Sequence, residues 1–122
     1  MLFRGDLKIA KWLLDHGANV NACDDDGWTP LYLVAIYGQL ECARMLLEHG
    51  AVVNVPTDGS QTPLHRASLY GHVEVVLLLL EYGADRNACD KDGKTPSNLA
   101  SRQGLGKIVE LLSEYGTKTI EQ

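Results

Sequence analysis

The sequence predicts a mainly α-helical protein, because markers of a helix-turn-helix unit recur along the chain at one interval of 33 residues. Thr-Pro pairs, which are typical of helix starts, stand at Thr29-Pro30, Thr62-Pro63 and Thr95-Pro96. Three more series keep the same spacing: Gly5, Gly38, Gly71 and Gly104; Gly17, Gly50, Gly83 and Gly116; and Asn21, Asn54 and Asn87. Units that repeat in this way stack on one another, so the expected architecture is an elongated α-solenoid.

Each unit is expected to contain two helices. The threonine caps the first helix and the proline takes its first position, where the missing N–H costs nothing. A mid-unit glycine then ends this helix in the left-handed conformation. First helices are predicted at 30–37, 63–70 and 96–103. Apolar residues at helical spacing predict second helices at 40–48, 73–82 and 105–115.

The segment Thr62-Pro63-Leu64-His65-Arg66-Ala67 matches the Thr-Pro-Leu-His-x-Ala motif of ankyrin repeats, whose period is also 33 residues. The chain therefore resembles the ankyrin-repeat family over about residues 2 to 116. The resemblance implies stacked helix pairs with β-hairpin fingers, and a binding module rather than an enzyme. We expect one domain, 1–122, with repeats at about 1–21 (partial), 22–54, 55–87 and 88–116, and a frayed tail at 117–122.

The fingers are expected where turn-forming residues separate the units, at Asp24-Asp25-Asp26-Gly27 and Asp90-Lys91-Asp92-Gly93. The middle finger departs from this pattern, because Ser60 stands where the other two have glycine. The sequence leaves the conformation of that tip open. The resemblance also implies that His65 hydrogen-bonds the backbone of a neighbouring finger, whereas His72 is expected at the surface.

Composition limits the classes of partner. The 122 residues carry a net charge of −5, with eleven Lys and Arg scattered over the units, which argues against nucleic acid or an anionic membrane. The longest apolar run, 75–80, is too short to cross a membrane. Cys23, Cys42 and Cys89 have no metal-site spacing, and Cys23 and Cys89 lie too far apart in the stack for a disulfide. Reduced thiols favour a cytoplasmic or nuclear localisation.

No motif for catalysis, a cofactor or a metal is visible in the sequence. Phosphate-binding glycine loops, His-Glu-x-x-His and Cys-x-x-Cys are all missing. The acidic run before Gly27 does not fit a calcium loop, since the first and last ligand positions would be Ala22 and Leu33. We therefore expect a protein that is not an enzyme and that needs no cofactor.

The family presents finger tips and the ends of its first helices on a concave face, and the corresponding residues here are the candidate partner-binding set. They are Asp25, Asp26, Trp28, Ile36, Tyr37, Asp58, Gln61, Leu69, Tyr70, Lys91, Asp92, Lys94, Arg102 and Gln103. Exposed tyrosine and tryptophan are common anchors of protein interfaces. The function predicted is an adaptor or scaffold module that binds a protein or peptide on this face.

Two alternatives remain open. The first unit lacks most of its first helix, which fits a fragment of a longer array, the preferred interpretation, or an edge that pairs two copies. A monomer is expected, and a homo-oligomer would use Phe3, Ile9, Trp12 and Leu13. The other alternative is an engineered binder, against which its free cysteines argue. The last unit is more polar than the middle ones, as expected of a C-terminal cap.

Overall fold

The computed structural model of the chain describes residues 19–23 and 25–121, with side chains as far as residue 114. Six α-helices follow one another in these residues: α1 Pro30–Tyr37, α2 Leu40–Glu48, α3 Pro63–Leu69, α4 Val73–Glu81, α5 Pro96–Arg102 and α6 Gly106–Glu121. No strand occurs in the same part of the chain. The mainly α-helical repeat fold predicted from the sequence is confirmed.

The first helix of each unit begins as the Thr-Pro pairs predict. Thr29, Thr62 and Thr95 have extended backbone, and each side-chain oxygen accepts a hydrogen bond from the N–H three residues later. The helix ends agree less closely, since α3, α4 and α5 each stop one residue before the predicted end. Residue types define helix starts more sharply than helix ends, because the ends depend on the capping geometry.

The helices form two layers. Helices α1, α3 and α5 make the first layer, in which α3 packs between the other two, and α2, α4 and α6 make the second layer behind them. One continuous apolar core runs between the layers from Leu31 to Leu112. Because every unit buries its apolar side chains against its neighbours, the stability of each unit depends on the units beside it.

The last helix continues beyond its predicted end. A frayed tail was expected at 117–122, but α6 extends to Glu121 and contains Gly116. In the earlier units an alanine follows the terminal glycine and closes the helix, with Ala51 N–H donating to Leu46 O at 2.9 Å and Ala84 N–H to Leu79 O at 3.0 Å. Thr117 replaces that alanine, and no asparagine comes after it, so the signals that end α2 and α4 are missing.

Two asparagines of the repeat series join neighbouring units. The Asn21 side chain donates to Gly50 O at 3.2 Å and accepts from Val52 N–H at 2.7 Å. Asn54 makes the same pair of bonds one unit later, to Gly83 O at 3.1 Å and from Asp85 N–H at 2.9 Å. The repeated asparagine therefore fixes the distance between consecutive units.

The fingers are turns rather than the β-hairpins that the resemblance implies. Each of the two later turns has two backbone bonds: Thr57 N–H to Gln61 O and Ser60 N–H to Thr57 O, both 2.8 Å, and Asp90 N–H to Lys94 O and Gly93 N–H to Asp90 O, both 2.9 Å. Single bonds also join consecutive tips, from Asp58 N–H to Asp26 O and from Lys91 N–H to Gly59 O, both 3.0 Å. These bonds close tight turns and join their tips, and they are too few for the ladder of a regular strand.

The tip of the middle finger keeps the shape of the other two. Ser60 has φ of 64°, close to 80° at Gly27 and 78° at Gly93. A non-glycine residue in this left-handed region costs about 1–2 kcal/mol, so the closing bonds of the turn hold Ser60 in a conformation that its side chain disfavours.

Candidate functional site

The predicted binding residues lie on the surface formed by α1, α3, α5 and the three finger tips, which we call the first-helix face. Its exposed large hydrophobic side chains among the described residues are Tyr37 and Tyr70, which retain 45% and 50% of their accessible surface. They occupy the same position in consecutive units, one at the end of α1 and one just after α3. Ile36 and Leu69, the residues before them, are half-buried.

A connected chain of side chains crosses this face. Trp28 is half-buried, and its ring lies 5.0 Å from that of Tyr32, centroid to centroid, at an angle of 58°. The Tyr32 hydroxyl accepts a 2.6 Å hydrogen bond from Arg66 Nε. The terminal Nη1 of Arg66 in turn donates to the Tyr70 hydroxyl at 3.4 Å. Two units are thereby linked through one guanidinium.

Tyr32 and Arg66 belong to the site although the sequence prediction omitted both. Tyr32 replaces the histidine of the motif, and its fully buried ring carries its hydroxyl to the neighbouring unit. The spacing of Arg66 and Tyr70, four residues apart on one helix, is the signal that could have indicated their contact. The bond from Arg66 to Tyr32 joins residues 34 positions apart and has no such local signal.

The finger residues divide into exposed and half-buried groups. The side chains of Asp25, Asp26, Asp58, Lys91 and Asp92 are exposed at the tips. Arg102 and Gln103, at the end of α5, are exposed as well.

Gln61 of the predicted binding set contacts the neighbouring finger. It is half-buried, and its Nε2 donates to Asp90 Oδ2 at 2.9 Å. Lys94 is also half-buried, and its N–H donates to Asp90 Oδ1 at 2.8 Å. Sequence spacing placed both residues on the binding face but could not show that Asp90 lies between them.

Asp90 is a buried carboxylate that organises the third finger. Burial by itself raises its pKa, but the hydrogen bonds from Lys94 N–H, from the Gln61 amide and from Asp92 N–H outweigh this effect and hold the pKa of Asp90 below its ordinary value. The charged form is therefore the stable one, and its oxygens are occupied by two backbone amides of its own finger and by Gln61 of the middle finger.

His65 has the structural role that the resemblance implies. Its buried ring accepts from Thr62 N–H at Nδ1, 3.0 Å away, and Nε2 lies 2.9 Å from Lys94 O, to which it donates in the neutral tautomer. Burial lowers the pKa of His65 below 6.5, against the opposing effects of the Lys94 carbonyl and Asp90. A neutral imidazole thus connects α3 to the next finger.

His72 is not the simple surface residue expected from the sequence. It is half-buried, and its Nε2 lies 2.9 Å from the Ile36 carbonyl at the end of α1. Its ring also covers Gly38, where an added Cβ would lie 2.6 Å from Cε1. The residue after one mid-unit glycine therefore packs over the mid-unit glycine of the preceding unit.

The structure also describes the three cysteines of the sequence. Cys42 is buried, whereas Cys23 and Cys89 are exposed. Among the described residues, no group of three His, Cys, Asp or Glu side chains could hold a metal ion, and no helix is long and apolar enough to span a membrane. The proposed self-association residues Phe3, Ile9, Trp12 and Leu13 lie outside the described residues.

The two-layer stack, the closing asparagines and the capped Thr-Pro starts define a helical repeat protein. A family model described as ankyrin repeats in three copies matches residues 1–90 and again residues 53–122. The chain belongs to the ankyrin-repeat family. Ankyrin repeats are generally protein–protein interaction modules, and the family is typically non-enzymatic.

One relative is an ankyrin repeat protein of fowlpox virus (strain NVSL). It is 50% identical over 34 residues, which are 28% of this chain and 24% of the viral protein. The chain matches about a quarter of the length of this relative. An alignment of about one repeat supports the family and the repeat pattern, and no more.

Proposed function

We propose that this chain binds a partner protein or peptide on the first-helix face, with Tyr37 and Tyr70 as its anchors. The observation that carries the proposal is their exposure. Two tyrosines with about half of their surface accessible stand one unit apart on a face whose neighbouring side chains are packed. Tyrosine supplies a large contact area with only two side-chain torsions to fix, so it contributes strongly to binding.

The surroundings of the tyrosines are already ordered. Tyr70 is held by Arg66 and lies beside His72, with ring centroids 6.3 Å apart. The helices below are joined by the buried core and by Asn54. A partner that docks on such a surface loses less conformational entropy than one that must order it.

The finger tips add charges of both signs around these anchors. Asp25, Asp26 and Asp58 extend from the first two fingers, while Lys91 and Arg102 belong to the last unit. Charges at the edge of an interface act mainly on the rate and orientation of association. We infer that they set the direction in which the partner lies.

The test is binding of the partner captured from a cytosolic extract by the wild-type chain. Tyr37→Ala/Tyr70→Ala should weaken that binding by about 100-fold, because hot-spot side chains each contribute more than about 1 kcal/mol. Tyr82→Ala is the matched control. Tyr82 is 43% exposed but ends α4, in the second layer, so its loss should leave the affinity unchanged.

Circular dichroism of all three proteins should show the same helix content. Unchanged affinity in the double variant would contradict the proposal, and so would an equal loss in Tyr82→Ala.

A further inference from the structure

Arg66 stands between two aromatic residues on the first-helix face, and both of its hydrogen-bond partners are neutral. Its Nε donates to the Tyr32 hydroxyl at 2.6 Å and its Nη1 to the Tyr70 hydroxyl at 3.4 Å. The guanidinium carbon lies 5.7 Å from the centre of the Tyr32 ring. The phenols orient the positive charge without neutralising it.

No carboxylate of the described chain pairs with this guanidinium. The ion pair found in the described chain joins Arg44 to Glu41. Both residues belong to α2, in the second layer. Asp90, the buried acid of the adjoining finger, is already bonded to Gln61 and to two backbone amides. A partly buried arginine without a counter-ion is unusual, because a desolvated charge gains most from a partner of opposite sign.

The guanidinium also has N–H groups left that can donate to a ligand. Arginine has five N–H groups in a planar fork, and the two tyrosines use two of them. The bond to Tyr32 is partly buried, whereas the bond to Tyr70 lies at the exposed side, so the terminal nitrogens reach the surface next to the Tyr70 ring. A carboxylate approaching there can accept two parallel hydrogen bonds from the fork.

The charges around Arg66 reinforce this preference. Its own helix has no acidic residue, and the next unit adds Arg102 and Lys94 on the same face. Among the exposed acids of the fingers, Asp25 and Asp26 belong to the preceding unit, Asp58 to the unit of Arg66 and Asp92 to the next one. On the first-helix face of these two units the basic residues Arg66, Lys91, Lys94 and Arg102 outnumber the acids Asp58, Asp90 and Asp92, in a chain whose net charge is −5.

We propose that Arg66 binds the carboxylate of an aspartate or glutamate in an extended segment of the partner, with an apolar residue beside it against Tyr70. The inference rests on the proposed function and adds the chemistry of what is recognised. Tyr32 acts as a positioning residue, because its hydroxyl fixes the guanidinium plane.

The test begins with selection of displayed linear dodecapeptides on the wild-type chain, keeping those whose binding is lost in Tyr37→Ala/Tyr70→Ala. These peptides should share an acidic position. Replacing that Asp or Glu by its amide should weaken binding about tenfold to hundredfold, the range for a hydrogen-bonded charge pair. The same replacement should have little further effect on binding to Arg66→Gln.

Two further variants separate recognition from folding. Arg66→Lys keeps the charge but not the fork and should recover only part of the affinity. Arg66→Glu should prefer a peptide whose acid is replaced by Lys, an inversion that a purely structural arginine would not produce. Arg44→Gln, in the other layer, is the control and should bind the acidic peptides normally.

The outcomes distinguish this inference from the proposed function. Peptides that depend on both tyrosines but show no acid requirement, or an amide replacement equally harmful in Arg66→Gln, would overturn the role of Arg66 alone. If selection yields no peptide whose binding depends on Tyr37 and Tyr70, this inference fails, whereas the proposed function is decided separately by the effect of Tyr37→Ala/Tyr70→Ala on the captured partner.

Discussion

Burial of a neutral imidazole makes the middle unit sensitive to mild acid. The Nδ1 atom of His65 accepts a hydrogen bond from Thr62 N–H. If Nδ1 were protonated, its N–H would face the N–H of Thr62 and the two groups would repel each other. Burial holds the pKa of His65 in the folded chain below 6.5, the ordinary value, at which the unfolded chain already binds the proton. Between the two pKa values the unfolded state holds more protons, and stability rises with pH.

His65 should make the free energy of unfolding decrease as the pH falls below about 6.5, by up to about 1.4 kcal/mol per pH unit. Above that pH its contribution is complete. Urea denaturation of the wild type and of His65→Gln, repeated between pH 8 and pH 5, measures the difference in slope, since the other histidines are common to both. The contribution of Asp90 belongs to more acid pH, because its pKa lies below 3.8. Equal slopes in the two proteins would contradict the role assigned to His65.

Single residues also show where sequence reasoning was sufficient. The motif around His65 predicted its bond to the next finger, and the exposed tyrosines were predicted from their position in the unit. Tyr32 and Arg66 were missed because their contact joins two units and has no pattern along the chain. Ser60 shows a related difficulty, because the fold imposes a left-handed conformation that its side chain does not favour.

At the scale of the helices, the units are joined where the residue after one mid-unit glycine covers the glycine of the preceding unit. His72 covers Gly38 and bonds to Ile36 O, and Leu105 lies 3.5 Å from the Cβ position of Gly71. At Gly104 the same position is open, with no atom within 4 Å. These three glycines have nearly the same φ, so their surroundings are what differs.

Gly38→Ala should therefore destabilise the chain more than Gly104→Ala. Both pay about 1–2 kcal/mol for the left-handed conformation. Gly38→Ala should lose about 1–3 kcal/mol more, because the new methyl group displaces the His72 ring and its hydrogen bond. Chemical denaturation of both variants gives the difference directly.

His72→Ala provides the control for this joint. In that background, Gly38→Ala should cost little more than Gly104→Ala, since the obstructing ring is gone. If the extra cost of Gly38→Ala persists without the ring, its cause is not the contact with His72.

Helix starts were predictable and some helix ends were not, for a physical reason. A Thr-Pro pair fixes a start through a local cap and a locked φ. An end depends on the residues that come after the helix: Ala51 and Ala84 close α2 and α4, whereas the chain after Gly116 has no such residue and α6 continues. The fingers were expected as hairpins, but the two later ones are turns with two internal backbone bonds each, and single bonds join consecutive tips.

At the scale of the whole molecule, stability and binding both depend on contacts between units. The core is continuous from the first complete unit to α6, and the first-helix face is assembled from three units that share no strand ladder in the described chain. The period of 33 residues was enough to predict this arrangement. The period could not predict which polar residues form hydrogen bonds between or within the fingers, as Gln61 and Lys94 do, because those bonds depend on distances across the stack.

The position of a unit in the stack should decide how its loss affects the rest. Leu79 in α4 and Leu112 in α6 are both fully buried, and either change to alanine should cost about 2–5 kcal/mol. The unit of Leu79 has neighbours on both sides, so its unfolding removes two interfaces. The helices α5 and α6 of the last unit pack on one preceding unit in the described chain, so that unit can unfold while the others remain folded.

Two optical probes separate these cases during urea denaturation. Trp28 fluorescence, measured in a Trp12→Phe background, reports on the first complete unit, and circular dichroism reports on all helices. In Leu79→Ala both signals should shift together to lower urea, since the middle unit holds its neighbours. In Leu112→Ala the helical signal should begin to fall before the fluorescence changes. Coincident transitions in Leu112→Ala would mean that coupling between units exceeds the loss in the last one, and the chain would then unfold as one cooperative block rather than unit by unit.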